Sequence, residues 1–116
     1  MTDYYQQFLT DKSWQILTGL KKRFRFVLIG GWAVYLYTQA LKSKDIDMVV
    51  DFSQLGVLKK DFVLEKNDRL KKYQIKIESI DIDIYLPHYS NLGLPVEVIG
   101  EKPVLINGFA LPAKEI

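Results

Sequence analysis

A chain of 116 residues with 48% hydrophobic content suits one small globular domain that can bury a core. The formal net charge of +2 is close to balance and gives no footing for nucleic-acid binding by charge alone. The sequence has no cysteine, which excludes disulfides and thiolate metal sites, and its single histidine speaks against a histidine-rich zinc site.

The first residues, Met1-Thr2-Asp3-Tyr4-Tyr5, lack the basic and apolar regions of a signal peptide. No apolar run approaches the ~20 residues needed to span a bilayer. The expected location is the cytoplasm, with no membrane partner. Residues 3–23 read as a helical segment, because Tyr4, Tyr5, Phe8 and Leu9, then Trp14, Leu17 and Leu20, recur at helical spacing. Thr10 or Asp11 offers a cap for a second helix, so a break is allowed there. Lys21, Lys22 and Arg23 complement the dipole at the segment's end.

Residues 24–29 form a nearly continuous apolar run, interrupted by Arg25, as a buried strand would. Gly30-Gly31 breaks it. Residues 32–41 place Ala33, Leu36, Tyr37, Ala40 and Leu41 on one helical face. Residues 45–52 then alternate. Asp45, Asp47, Val49 and Asp51 lie on one side; Ile46, Met48, Val50 and Phe52 lie on the other, which is apolar enough for core. Ser53 can cap a short helix reaching Lys60. Residues 62–64 suit a short strand, and 65–69 a polar loop.

Residues 72–78 and 80–86 alternate well and turn near Ser79, which predicts an antiparallel hairpin. Pro87 stops the second strand, and residues 88–95 read as loop. Residues 103–106 and 109–111 flank Asn107-Gly108, a strong two-residue hairpin turn. Pro112-Ala113-Lys114-Glu115-Ile116 resembles the first turn of a helix. The domain expectation is therefore a single catalytic-core unit over residues 1–116, cut short before C-terminal helices.

A glycine pair between strand and helix lets backbone amides approach a ligand, and a helix N-terminus favours phosphate. Alone, such a pair is more often only a tight turn. Asp45 and Asp47 are two apart on a strand, so both side chains point the same way with Cα atoms about 6–7 Å apart. Two carboxylates so placed can hold hard cations such as Mg²⁺ while a substrate's phosphates fill the remaining positions. Two such ions, roughly 3.5–4 Å apart, stabilise both oxygens of an in-line displacement. The bland alternative is a solvated acidic strand face, although Asp is depleted in strands. Asp81 and Asp83 repeat the pattern opposite an all-isoleucine face. If the two acid strands are neighbours, four carboxylates converge, and like charges that close require a metal or a proton.

Taken together, these motifs resemble the nucleotidyltransferase superfamily with the DNA polymerase beta-like palm, especially its small prokaryotic and abortive-infection toxin-like members. Ile29-Gly30-Gly31 matches the glycine motif, and thirteen residues separate Gly31 from Asp45. Asp45-Ile46-Asp47-Met48 matches the paired acids. Asp83 between Ile82 and Ile84, or Asp81 between Ile80 and Ile82, matches the third acid, with Asp83 favoured. The resemblance spans roughly residues 24–86. It implies an α/β (α+β) fold with a nucleotidyltransferase-like mixed β-sheet and helices packed on one face. It implies that Asp45, Asp47 and Asp83 are catalytic, and that these three with Asp81 bind metal. It implies that Gly30 and Gly31 cradle a triphosphate, with Lys44 or Lys42 supplying charge in place of the arginine often found before the first acid. Trp32 stands where many members carry Ser or Thr.

The resemblance also constrains topology. Gly31 and Asp45 must reach one triphosphate, yet a helix of about ten residues spans only ~15 Å. Strands running antiparallel on either side of that helix satisfy both. The implied activity is Mg²⁺-dependent transfer of a nucleoside monophosphate from an NTP, ATP by expectation, to a hydroxyl of RNA, protein or a small molecule. The alternative is a non-catalytic nucleotide-binding or partner-binding module of a toxin–antitoxin or defence system, with an antitoxin or similar protein as partner. Other residues carry weaker signals. His88 could approach base or acceptor; Lys59, Lys60, Arg69, Lys71 and Lys72 could track RNA or simply be solvated; Tyr85 could stack on a base or pack; Asp51 reads as structural.

Overall fold

The computed structural model describes residues 2–86 and 104–111, with side chains from residue 7 onward. The elements run α1 (Thr2–Arg23), β1 (Val27–Ile29), α2 (Gly30–Thr38), β2 (Ile46–Val49), α3 (Phe52–Asp61), β3 (Glu65–Asn67), β4 (Lys72–Ile77), β5 (Ile80–Tyr85), β6 (Val104–Ile106) and β7 (Phe109–Leu111). The strands form one seven-stranded sheet in the order β3-β4-β5-β2-β1-β7-β6. The β2–β5 and β1–β7 pairs are parallel and the other pairs antiparallel. The result is a compact α+β globule: a mixed sheet with three helices packed alongside it.

The alternation in β5 explains its place beside the middle of the sheet. Ile80, Ile82 and Ile84 are completely buried, while Asp81, Asp83 and Tyr85 between them are only partly so. Ile46 and Met48 of β2 and Ile75 of β4 join the same cluster, as do Leu17 and Leu20 of α1, Trp32 and Leu36 of α2, and Leu55 and Leu58 of α3. Each large aliphatic side chain so removed from water contributes roughly 1.5–3 kcal/mol. The acids of β2 and β5 therefore occupy the face that this core does not use.

Helix α1 runs without a break. Thr10 is no cap; its hydroxyl donates to the Gln7 carbonyl within the helix at 3.1 Å. The Phe24 amide continues onto the Leu20 carbonyl, so the first strand begins three residues later than the apolar run suggests. Helix α2 ends at Thr38, where Gln39 turns left-handed (φ 59°) and donates to the Tyr35 carbonyl. Ala40 and Leu41 are thus outside the helix, and Leu41 is exposed. Strand β2 stops at Val49, and Asp51 rather than Ser53 occupies the N-cap of α3, without a side-chain cap bond.

The short strand expected over residues 62–64 is corrected to Glu65–Asn67. The Phe62 amide instead closes α3 on the Leu58 carbonyl at 2.9 Å. An edge strand pairs through its backbone and needs no apolar face, so hydropathy misplaces it. Both hairpin turns are as the sequence predicts. Glu78 and Ser79 have φ of 47° and 74°, and Asn107 and Gly108 have φ of 52° and 80°. Positive φ at both central residues matches the right-handed twist of the flanking strands. Among the described residues, no helix is long and apolar enough to cross a membrane. The loop expected at 88–95, the helical start at 112–116, and His88 lie outside the described residues.

Candidate functional site

The antiparallel pairing of β1 and β2, which the family resemblance implies, sets Ile29 opposite Asp47. Gly30 follows directly, with φ of +70°. A Cβ on Gly30 would strike the Asp47 carboxylate, with Cγ at 3.0 Å. Glycine is thus required twice over, by conformation and by the carboxylate lying against it. At Gly31 a Cβ would meet Ser43 Oγ at 2.7 Å. The Ser43 hydroxyl in turn donates to the Asp45 carbonyl at 2.8 Å, tying down the turn that delivers Asp45 to the start of β2. The room made by both glycines is filled by the protein's own side chains from the acid-bearing segment.

Strands β2 and β5 run parallel in a register that pairs Asp47 with Asp83. Neighbouring strands lie about 4.8 Å apart, so the two carboxylates are immediate neighbours on one face. From the other side β4 sets Gln74 opposite Asp83. Gln74 Nε2 donates to Asp83 Oδ1 at 3.0 Å, and Lys72 Nζ lies 3.2 Å from the same oxygen. The Lys72 and Asp83 side chains are only 16% and 15% exposed, so this ion pair is poorly screened by solvent.

Burial, first, and the charges of Asp83 and Asp45, next, push the Asp47 carboxyl up to about 6; a hydrogen bond with Asp83 adds to this, and Lys72 opposes it. Tyr85, on the same face two residues beyond Asp83, is pushed up to about 12 by burial and by Asp47 and Asp83. Its hydroxyl stays protonated and can only donate or accept a hydrogen bond. Two adjacent carboxylates that resist joint ionisation form a site that a cation or a proton stabilises.

The structure brings Asp47, Asp83 and Gly30 together, with Asp45 exposed at the margin but near enough to act on Asp47. Asp81 goes elsewhere. It faces Lys76 across the hairpin, with an ion-pair distance of 4.0 Å, and is not among the charges that act on Asp47. Lys44 is half-buried and forms no ion pair among the described residues. Asp51 caps α3 through its carbonyl, which accepts from Gln54 and Leu55.

No three His, Cys, Asp or Glu side chains among the described residues form a ready metal cage. The influence of Asp45 on Asp47 is therefore that of a nearby charge rather than of a third ligand already in place. The donors present are all carboxylate oxygens, which suit a hard cation. Mg²⁺ commonly takes one or two carboxylates and completes its shell with water and substrate phosphates. On that donor chemistry the Asp47–Asp83 pair fits a divalent cation.

Sequence reasoning did not assign Lys72, Gln74 and Ser43 to this site. For the first two, a signal was available. The alternation that buries Ile75 places Lys72, Gln74 and Lys76 on the acid face, and the tight turn at Glu78-Ser79 then sets Gln74 opposite Asp83. Ser43 lies in an irregular loop, where no periodicity predicts direction. A groove of about 520 Å³, bordered by Lys66, Arg69, Lys72 and Gln74 among others, opens beside this pair of donors. No protein-family model matches the chain, and no curated protein matches it either.

Proposed function

We propose that the chain is the catalytic core of a nucleotidyltransferase, with the nucleotidyltransferase-like sheet its motifs imply. It transfers a nucleoside monophosphate from an NTP, ATP by preference, to an acceptor hydroxyl of RNA, protein or a small molecule. The observation that carries this reading is the parallel register of β2 and β5, which sets Asp47 beside Asp83, with Gly30 against Asp47. A glycine-ended strand, a helix N-terminus and adjacent acids then surround one place. The amides of Gly30 and Gly31 at the start of α2 bind triphosphate oxygens, with Lys44 adding positive charge. Asp47 and Asp83, with Asp45 at the margin, would hold Mg²⁺, and Asp83 would also orient the acceptor hydroxyl. A bound Mg²⁺ would supply screening of the phosphate charge. The protein's share is positioning and electrostatics.

Asp45→Asn and Asp47→Asn should each lower NTP- and Mg²⁺-dependent labelling of an acceptor by about 10²-fold or more. Labelling that continues unchanged in both variants would sink the assignment. Trp32 favours a second reading, a nucleotide- or partner-binding module without turnover. It is wholly buried, and its indole N–H donates to Ser13 Oγ at 2.8 Å, so no hydroxyl follows the glycines. Calorimetry with ATP and Mg²⁺ separates the two: binding without transfer supports the module, and no binding counts against both.

A further inference from the structure

Over much of the surface, cations and acids answer one another, as in the pairs Lys12–Glu78, Arg23–Asp61, Lys42–Asp11 and Lys76–Asp81. A groove of about 340 Å³ breaks this pattern. Lys21 and Arg25 line it, no acid among the described residues does, and neither cation forms an ion pair among them. The rest of its wall is largely apolar and includes Phe26, Leu105 and Phe109. Ala110 of that wall pairs with Val27, whereas Asp47 pairs with Ile29, so groove and acids flank opposite ends of β1.

Both cations are held at the groove. The Lys21 ammonium lies 4.8 Å from the centre of the Phe109 ring and donates to the Asn107 carbonyl at 3.4 Å. A Cβ on Gly108 would meet that ammonium at 2.5 Å, so the glycine keeps its place open. The Arg25 backbone amide donates to Gln54 Oε1 at 3.0 Å, which fixes the chain from which the exposed Arg25 projects. Beside the groove, β6 ends the sheet with Val104 40% and Leu105 73% exposed. An edge strand offers amides and carbonyls to another extended chain, and apolar side chains on it add contact area. The Phe24 and Phe109 rings are buried, which leaves nucleic-acid bases little to stack on.

We propose that this groove and the β6 edge dock an acidic, extended segment of a partner protein, with its carboxylates on Lys21 and Arg25 and an apolar side chain against Leu105. The inference does not rest on the nucleotidyltransferase reading.

The test selects binders of the full chain from random peptides displayed on phage, then measures the best synthetic peptide by fluorescence anisotropy. The enriched sequences should carry Asp or Glu around a Leu, Ile or Phe. Arg25→Glu and Leu105→Asp should each weaken the peptide by about tenfold or more. Arg69→Glu makes the same charge change near β3, the opposite edge, and should leave affinity within about twofold. No enrichment, or enrichment without acids, overturns the inference. So does binding that survives Arg25→Glu or Leu105→Asp, or that falls equally with Arg69→Glu. Displacement of the peptide by single-stranded oligouridylate at lower concentration than by free peptide overturns it too, in favour of a nucleic-acid surface. The wild-type selection needs no variant, so it decides the matter even if a substitution impairs folding.

Discussion

At Asp47, burial and the charge of Asp83 act in the same direction, moving its proton release from the ordinary 3.8 to about 6. The folded state holds this proton more tightly than the unfolded chain does. Stability from this residue is therefore present below the unfolded value and lost as pH rises through about 6. Asp47→Asn has no proton to lose. In metal-free buffer the melting temperature of Asp47→Asn relative to wild type should climb between pH 4 and pH 6 and level off above. A difference that stays flat across that window contradicts the electrostatic account. Mg²⁺ at pH 7 should narrow the gap by stabilising only the wild type.

Gly30 carries the second prediction at this scale. Gly30→Ala puts a Cβ into the Asp47 carboxylate at a left-handed backbone position. The expected cost is about 1–3 kcal/mol in denaturant unfolding. Gly19 is the control, since a Cβ there meets nothing within 4 Å. Inside α1, Gly19→Ala should stabilise by about 1 kcal/mol.

Among the elements, the β4–β5 hairpin was the most legible, because two runs of period-two hydropathy flank a turn. Its core face can be tested directly. Ile82 is wholly buried on β5, and Ile82→Ala should cost about 2–5 kcal/mol through lost burial and the cavity left behind. Its turn can be improved, since Ser79 sits at φ 74° where glycine is easier. Ser79→Gly should raise the unfolding free energy by a few tenths to about 1 kcal/mol. Strand β3 is hidden from hydropathy for the opposite reason. Glu65-Lys66-Asn67 presents no apolar face, and its pairing with β4 is made by backbone groups that hydropathy does not register. Element ends were also blurred: α2 stops at a left-handed Gln39, a residue with no strong stop signal.

For the molecule as a whole, the sheet order makes β2 the hinge of the arrangement, with β1 antiparallel on one side and β5 parallel on the other. Amide hydrogen exchange should be slowest in β2 and β5 and fastest in β3 and β6, the two edges. Equal protection across the sheet would count against this order. The sequence by itself determined the glycine pair, the acids at alternate positions, the isoleucine face beneath them and the two tight turns, because each depends only on residues close in the chain. Only the tertiary structure decided which acids meet. Asp83 rather than Asp81 stands beside Asp47 because a parallel register between distant strands puts it there, and register is not written in either strand alone. Lys72 and Gln74 then come onto Asp83 through the local β4–β5 hairpin, while Ser43, in the irregular loop before β2, fills the space beside Gly31.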